Sequence, residues 1–93
     1  MENNNEISDM YLAAAFLAYG VELISIDRSN KQRQRFCFSN EIDHIWIIDG
    51  ELVVKRNNPS VEEVKTKYTA RTLLFPPSYP DAVRRIKSDI HSS

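Results

Sequence analysis

The sequence predicts a single-domain α+β protein, with an antiparallel β-hairpin or small sheet packed against an N-terminal apolar helix and a C-terminal amphipathic helix. Three observations carry this. Met10 to Tyr19 is an unbroken apolar run closed by Gly20. From Val21 the pattern turns alternating, with Ile24 and Ile26 before a polar break and Phe36 and Phe38 after it. Tyr79, Val83, Ile86 and Ile90 then recur at spacings of 4, 3 and 4, one stripe of a helix. At 93 residues the chain has room for one core, with a net stability on the order of 5 to 14 kcal/mol.

Residues 1–6 are polar and read as frayed. Ser8 is the expected N-cap of the first helix, with Asp9 in its first turn, where the helix dipole favours a negative charge. Ile7 and Leu12 form the hydrophobic staple across that cap. The helix runs to Tyr19 and stops at Gly20, which supplies the left-handed conformation of a C-terminal cap. Its apolar surface covers every face, and Ala13, Ala14, Ala15 and Ala18 let a neighbouring backbone come close.

The hairpin follows. With a three-residue loop, Ser29 to Lys31, Ile24 and Ile26 share a face with Phe36 and Phe38, and Asp27 comes opposite Arg33. The stretch EIDHIWIIDGELVVK supports two readings. Asp49-Gly50 between IWII and LVV is the signal of a type I′ hairpin. Equally, Ile42, Ile45 and Trp46 fall at i, i+3, i+4, and Asn40 can cap a short helix that ends at Gly50. Ser60 and Glu63 then have capping-box spacing and open a helix over residues 61–69, with Glu63 placed to pair with Lys67. TLLF runs extended into Pro76-Pro77, and Pro80 and Asp81 mark the first turn of the last helix.

A "YLAA" helix, Tyr11, Leu12, Ala13 and Ala14, follows an acidic cap and ends at Gly20. Phe36 and Phe38 close a charged-tip hairpin, and Ala82 with Ile86-Lys87-Ser88 lies in the final helix. In this combination the chain resembles a family of short phage and bacterial proteins known as a domain of unknown function. The resemblance implies a small accessory protein of a phage or mobile element and brings no catalytic residues. It leaves residues 56–77 as an insertion without counterpart. It also sets the helical reading of residues 41–48 above the hairpin, although Ile47 and Ile48 stand where the family has an aromatic pair.

No residue pattern points to catalysis. His44 adjoins Asp43, but neighbours in sequence fall on different faces of a helix or a strand, so no catalytic geometry is expected. Cys37, between two phenylalanines, reads as a small buried residue. As the only cysteine it excludes an internal disulfide and suits a reducing compartment. His44 and His91 lack the spacing of a metal site, and Gly20 and Gly50, the only glycines, cannot form a phosphate-cradling loop. An enzyme, a cofactor, a metal and a small-molecule substrate are therefore not expected. The start MENNNEISD has no basic residue ahead of an apolar run, as a signal peptide needs. The longest apolar run is ten residues, where a membrane span takes about twenty. The expected location is the cytoplasm, that of the host cell if the protein is phage-encoded, with no membrane contact.

The net charge of −1 conceals an asymmetry. Residues 1–50 carry four basic and eight acidic side chains, and residues 51–93 carry eight and five. Arg28, Lys31, Arg33 and Arg35 crowd the hairpin tip, and Arg84, Arg85 and Lys87 line the last helix. Both patches suit phosphate contact. Equally, the first suits a strand edge protected by charge, and the second suits helix pairing of Arg85 with Asp81 and Asp89. The Ala-rich helix offers a route to a two-fold dimer through Tyr11, Ala14 and Ala18, or it is core. The function expected is that of a small non-enzymatic binding protein that contacts protein, either itself as a homodimer or a host protein. The alternative is a nucleic-acid accessory protein using the two basic patches.

Overall fold

A computed structural model describes residues 6–29 and 34–91. β1 (Glu6–Ile7) opens the chain, so Glu6 is not frayed but paired to the sheet. The first helix, α1 (Met10–Ala18), is capped by Asp9 and not by Ser8. Asp9 is extended, and its Oδ1 accepts from the backbone N–H groups of Tyr11 at 2.9 Å and Leu12 at 3.3 Å. At the other end, Gly20 N–H donates to Leu17 C=O and Val21 N–H to Phe16 C=O. These are the two bonds of a Schellman motif, and Gly20 takes the left-handed φ of +83° that the motif needs.

β2 (Leu23–Asp27) and β3 (Arg35–Phe38) are antiparallel, and β1 pairs with the other edge of β3 to complete a three-stranded sheet. The expected register is corrected in two ways. Asp27 lies opposite Arg35, not Arg33, and a β-bulge between Leu23 and Ser25 breaks the alternation. Leu23, not Ile24, therefore joins Phe38 on the inner face, while Ile24 points to solvent. Hydrogen bonds from Ser29 hold the Asp27 carboxyl below its usual pKa, with Arg35 adding to the effect.

Residues 44–57 settle the ambiguous stretch as two strands, β4 (His44–Asp49) and β5 (Leu52–Asn57), which correct the helix that the resemblance implies. The reason is local: Ile45 and Ile47 are buried while Trp46 and Ile48 are exposed, the period of a half-buried strand, and the β-branched run favours extended backbone. The turn also differs from expectation. Asp49 pairs with Leu52, which leaves Gly50 and Glu51 as the central residues. Only Gly50 has positive φ, at +65°, the pattern of a II′ turn and not of I′.

α2 (Val61–Thr69) starts as expected, with Ser60 Oγ accepting from Glu63 N–H at 3.1 Å. Glu63 itself turns to Arg56 Nε at 2.6 Å, not to Lys67. Leu73 forms a bridge to Ile47 and lies along the far edge of β4. α3 (Tyr79–His91) packs along α1. One core gathers Leu12, Phe16, Phe36, Phe38, Ile45, Val64, Leu73 and Ile86 from both sheets and all three helices. Residues 56–77, read as an insertion, thus supply Val61, Val64 and Leu73 to that core. No helix among the described residues is long and apolar enough to cross a membrane.

Candidate interaction surface

The aromatic side chains divide between a buried set and a set that reaches the surface wholly or in part. Phe16, Phe36 and Phe38 are buried, with Phe16 and Phe38 ring centroids 5.1 Å apart. All four tyrosines, Trp46 and Phe75 lie together on one surface. Its midpoint is Phe75, at the end of the extended stretch before Pro76-Pro77. On one side Phe75 stacks on Tyr79, centroids 4.4 Å apart, and meets Tyr68 edge-on at 6.4 Å. On the other side Phe75, Pro76, Pro77, Tyr19, His44 and Trp46 line a cleft of about 310 Å³.

Hydrogen bonds lock this arrangement to the backbone. Tyr19, the last residue of the α1 cap, accepts from Trp46 N–H at 3.1 Å and donates to Leu74 C=O. One hydroxyl thus ties α1 to β4 and to the extended stretch beside it. Tyr68 on α2 donates to Asp9 Oδ2 at 3.1 Å, and Tyr79 on α3 donates to Tyr11 C=O at 3.2 Å. The hydroxyls of Tyr19, Tyr68 and Tyr79 therefore bond inward, and at these three positions ring faces and edges are what the surface presents. Burial pushes the phenol of Tyr68 up to about 12, with the hydrogen bond to the Asp9 carboxylate and its charge adding to the effect. Burial also raises Tyr79, again with help from Asp9, and raises Tyr19. Each phenol stays neutral at physiological pH. Exposure remains substantial at three positions: Tyr11 at 48%, Phe75 at 45% and Trp46 at 40%.

His44 lies within this surface, and one expectation about it is corrected. Asp43 Oδ2 stands 2.9 Å from His44 Nδ1, a hydrogen bond in which the ring nitrogen donates. Asp43 precedes β4 in irregular backbone, so strand alternation does not hold the two side chains apart. The other side chains of the cleft are apolar or aromatic, and its one hydroxyl, that of Tyr19, is already bonded on both sides. Cys37 is half-buried on β3, opposite Ser25. Among the described residues no three His, Cys, Asp or Glu side chains converge as metal ligands would.

The basic positions expected to contact phosphate are placed as follows. Arg28 Nη2 donates to the backbone C=O of Asp89 at 2.7 Å, which brings the loop end of the first hairpin to the last turns of α3. Arg35 pairs with Glu6 at 3.7 Å, Arg84 with Asp81 at 3.2 Å and Arg85 with Asp89 at 4.0 Å. Lys87 is exposed. Lys31 and Arg33 lie outside the described residues. Of the positions expected for self-association, Ala14 is 0% exposed inside the chain's own core, Ala18 is half-buried, and Tyr11 alone reaches the surface. The apolar surplus of α1 is covered from within, chiefly by α3, so Ala14 leaves no surface for a second copy.

Trp46, Phe75, Tyr68 and Tyr79 were not legible as a set from the sequence. Trp46 alone carried a signal, because the strand reading of residues 44–49 turns it outward. No protein-family model, no curated protein and no solved structure matches this chain. The resemblance drawn on Tyr11 to Gly20, Phe36, Phe38 and the last helix therefore stands on those residues alone.

Proposed function

We propose that this is a non-enzymatic binding protein of the phage or mobile-element type that acts by contact with a partner protein through the surface centred on Phe75. One observation carries the reading: the exposed aromatic residues gather on one rigidly held surface while the remaining rings fill the core. Tyrosine and tryptophan are enriched where proteins meet, because each buries a large rigid area at small entropic cost. A contiguous apolar patch is a usual mark of such a contact. The hydroxyls of Tyr19, Tyr68 and Tyr79, already bonded inward, leave those three rings ready to be covered without a desolvation penalty on their phenols.

Affinity capture from cells of the source organism tests this. The wild-type chain retains a defined protein, and Phe75→Asp, a change at a half-exposed position, loses at least about nine tenths of it, as expected for a central contact residue. Capture that is indifferent to Phe75→Asp and Trp46→Ala rules the surface out.

A second reading, nucleic-acid contact, is favoured by the docking of Arg28 on α3, which brings the hairpin toward the helix of Arg84, Arg85 and Lys87. Capture that nuclease treatment abolishes, with affinity that falls steeply as salt rises, supports this reading instead.

A further inference from the structure

Among the described residues no strand lies beside the outer edge of β5: the two-stranded sheet is made of β4 and β5. The far edge of β4 is occupied by the stretch around Leu73, where Ile48 N–H donates to Thr72 C=O and Leu74 N–H to Trp46 C=O. Among the described residues, then, the β5 edge alone of this sheet is open. The hairpin fixes which backbone groups face outward along it. In a two-residue turn the closing pair, here Asp49 and Leu52, is the hydrogen-bonded one, and bonding alternates from there. Asn58 N–H donating to Asp43 C=O confirms that parity at the far end. Leu52, Val54 and Arg56 thus turn their N–H and C=O groups to β4, and Val53, Lys55 and Asn57 turn theirs to the open side. The edge is also apolar where it begins, with Leu52 69% and Val53 61% exposed.

We propose that this edge pairs antiparallel with the same edge of a second copy across a two-fold axis at Val53. A two-fold axis can fall at any residue of this strand. Axes at Leu52 and Asn57 leave a single strand residue paired and an axis at Arg56 sets Arg56 against its own copy, and the side chains distinguish the three registers that remain. An axis at Lys55 sets Lys55 against its own copy, and like charges directly opposite repel. An axis at Val54 sets Val53 against Lys55 and Leu52 against Arg56, apolar against charged. An axis at Val53 pairs Val53 with Val53 and Leu52 with Val54, and it brings Glu51 of the turn alongside Lys55 of the other copy on both sides of the axis. Every pair in that register matches in character, and its two ion pairs are equivalent by symmetry. It also uses residues 51–55, the part of the hairpin away from the connection to α2. Because β4's other edge is already filled, the pairing closes at two copies and does not grow into a fibre. The contact lies along β5 and needs no residue of the Phe75 surface.

Light scattering on the full chain decides it. Wild type has twice the 10.8 kDa mass of one chain. Glu51→Lys and Lys55→Glu each replace two opposite-charge pairs with two like-charge pairs and weaken the dimer by about tenfold or more, whereas the double variant restores it. Val53→Pro removes an N–H that turns away from β4 and makes no ladder bond to it, so it yields a monomer whose circular dichroism is that of wild type. Phe75→Asp remains a dimer, which separates this contact from the partner surface. A wild-type monomer at the highest soluble concentration overturns the proposal. So does a double variant that stays monomeric, or a Val53→Pro protein that folds and stays dimeric.

Discussion

Asp9 does two jobs with its two carboxylate oxygens: Oδ1 caps α1 and Oδ2 receives the Tyr68 hydroxyl. Burial of the phenol, with the hydrogen bond to Asp9 and the Asp9 charge adding to the effect, makes Tyr68 the described residue through which alkaline pH acts most strongly on the fold. Its phenol is raised from 10.0 to about 12, so the folded state holds the proton more tightly than the unfolded chain does. The stabilisation is complete below pH 10 and is lost as pH rises from there through about 12. Denaturant unfolding at a series of alkaline pH values should show stability falling over that window. Tyr68→Phe, which has no phenol to ionise, should flatten the fall, leaving the smaller share due to Tyr79 and Tyr19. A slope unchanged by Tyr68→Phe would place the alkaline sensitivity elsewhere. None of this was readable in sequence, because residues 9 and 68 are brought together only by the packing of α2 near the start of α1. The shift of the cap from Ser8 to Asp9 is a smaller miss, since either side chain caps well and the choice depends on where the chain leaves β1.

The helices were legible where local chemistry alone defines their ends. Gly20 and the apolar run before it specified both the extent of α1 and its stop, Ser60 specified the start of α2, and the 4, 3, 4 spacing specified α3. Gly20→Ala tests the first of these. A Cβ added there meets no atom within 4 Å, so the cost is that of the backbone alone. Holding an L-residue at a φ of +83° costs about 1 to 2 kcal/mol, and thermal or denaturant unfolding should show a loss of that size with the helix content unchanged. A neutral substitution would mean that the Schellman bonds to Phe16 and Leu17 relax at no cost. The strands were less legible because their registers depend on irregularities. The bulge at Leu23 to Ser25 exchanges the roles of Leu23 and Ile24, and the turn at Gly50 and Glu51 shifts by one residue from the Asp-Gly signal. For residues 44–49 the alternation of β-branched side chains outweighed both a compatible helical spacing and a family resemblance.

The acidic first half and the basic second half of the chain are joined by an apolar core, with tyrosine hydroxyls reaching across. Tyr19 bonds to Leu74, Tyr79 to Tyr11 and Tyr68 to Asp9. α1 lies on α3, while Ile45 and Ile47 bring the two-stranded sheet into the same core as Phe36 and Phe38 of the three-stranded one. The excess apolar surface that α1 shows in isolation is thereby absorbed within the chain. What stays outside includes the aromatic surface, the β5 edge and Ile24, and sequence could not separate these from core because exposure depends on how the two sheets are arranged. If one core serves both sheets, damage at a distance must reach Trp46. Ile86 on α3 is fully buried, and Ile86→Ala should cost about 2 to 5 kcal/mol, a large share of a total stability on the order of 5 to 14 kcal/mol. Trp46 fluorescence reports the two-stranded sheet and far-ultraviolet circular dichroism reports mainly the helices. In urea both should move to the same lower midpoint, with the steepness of the transition retained. A Trp46 transition that holds its wild-type midpoint while the helical signal shifts would show the β4–β5 hairpin unfolding as a unit of its own, and the single-core account would fail.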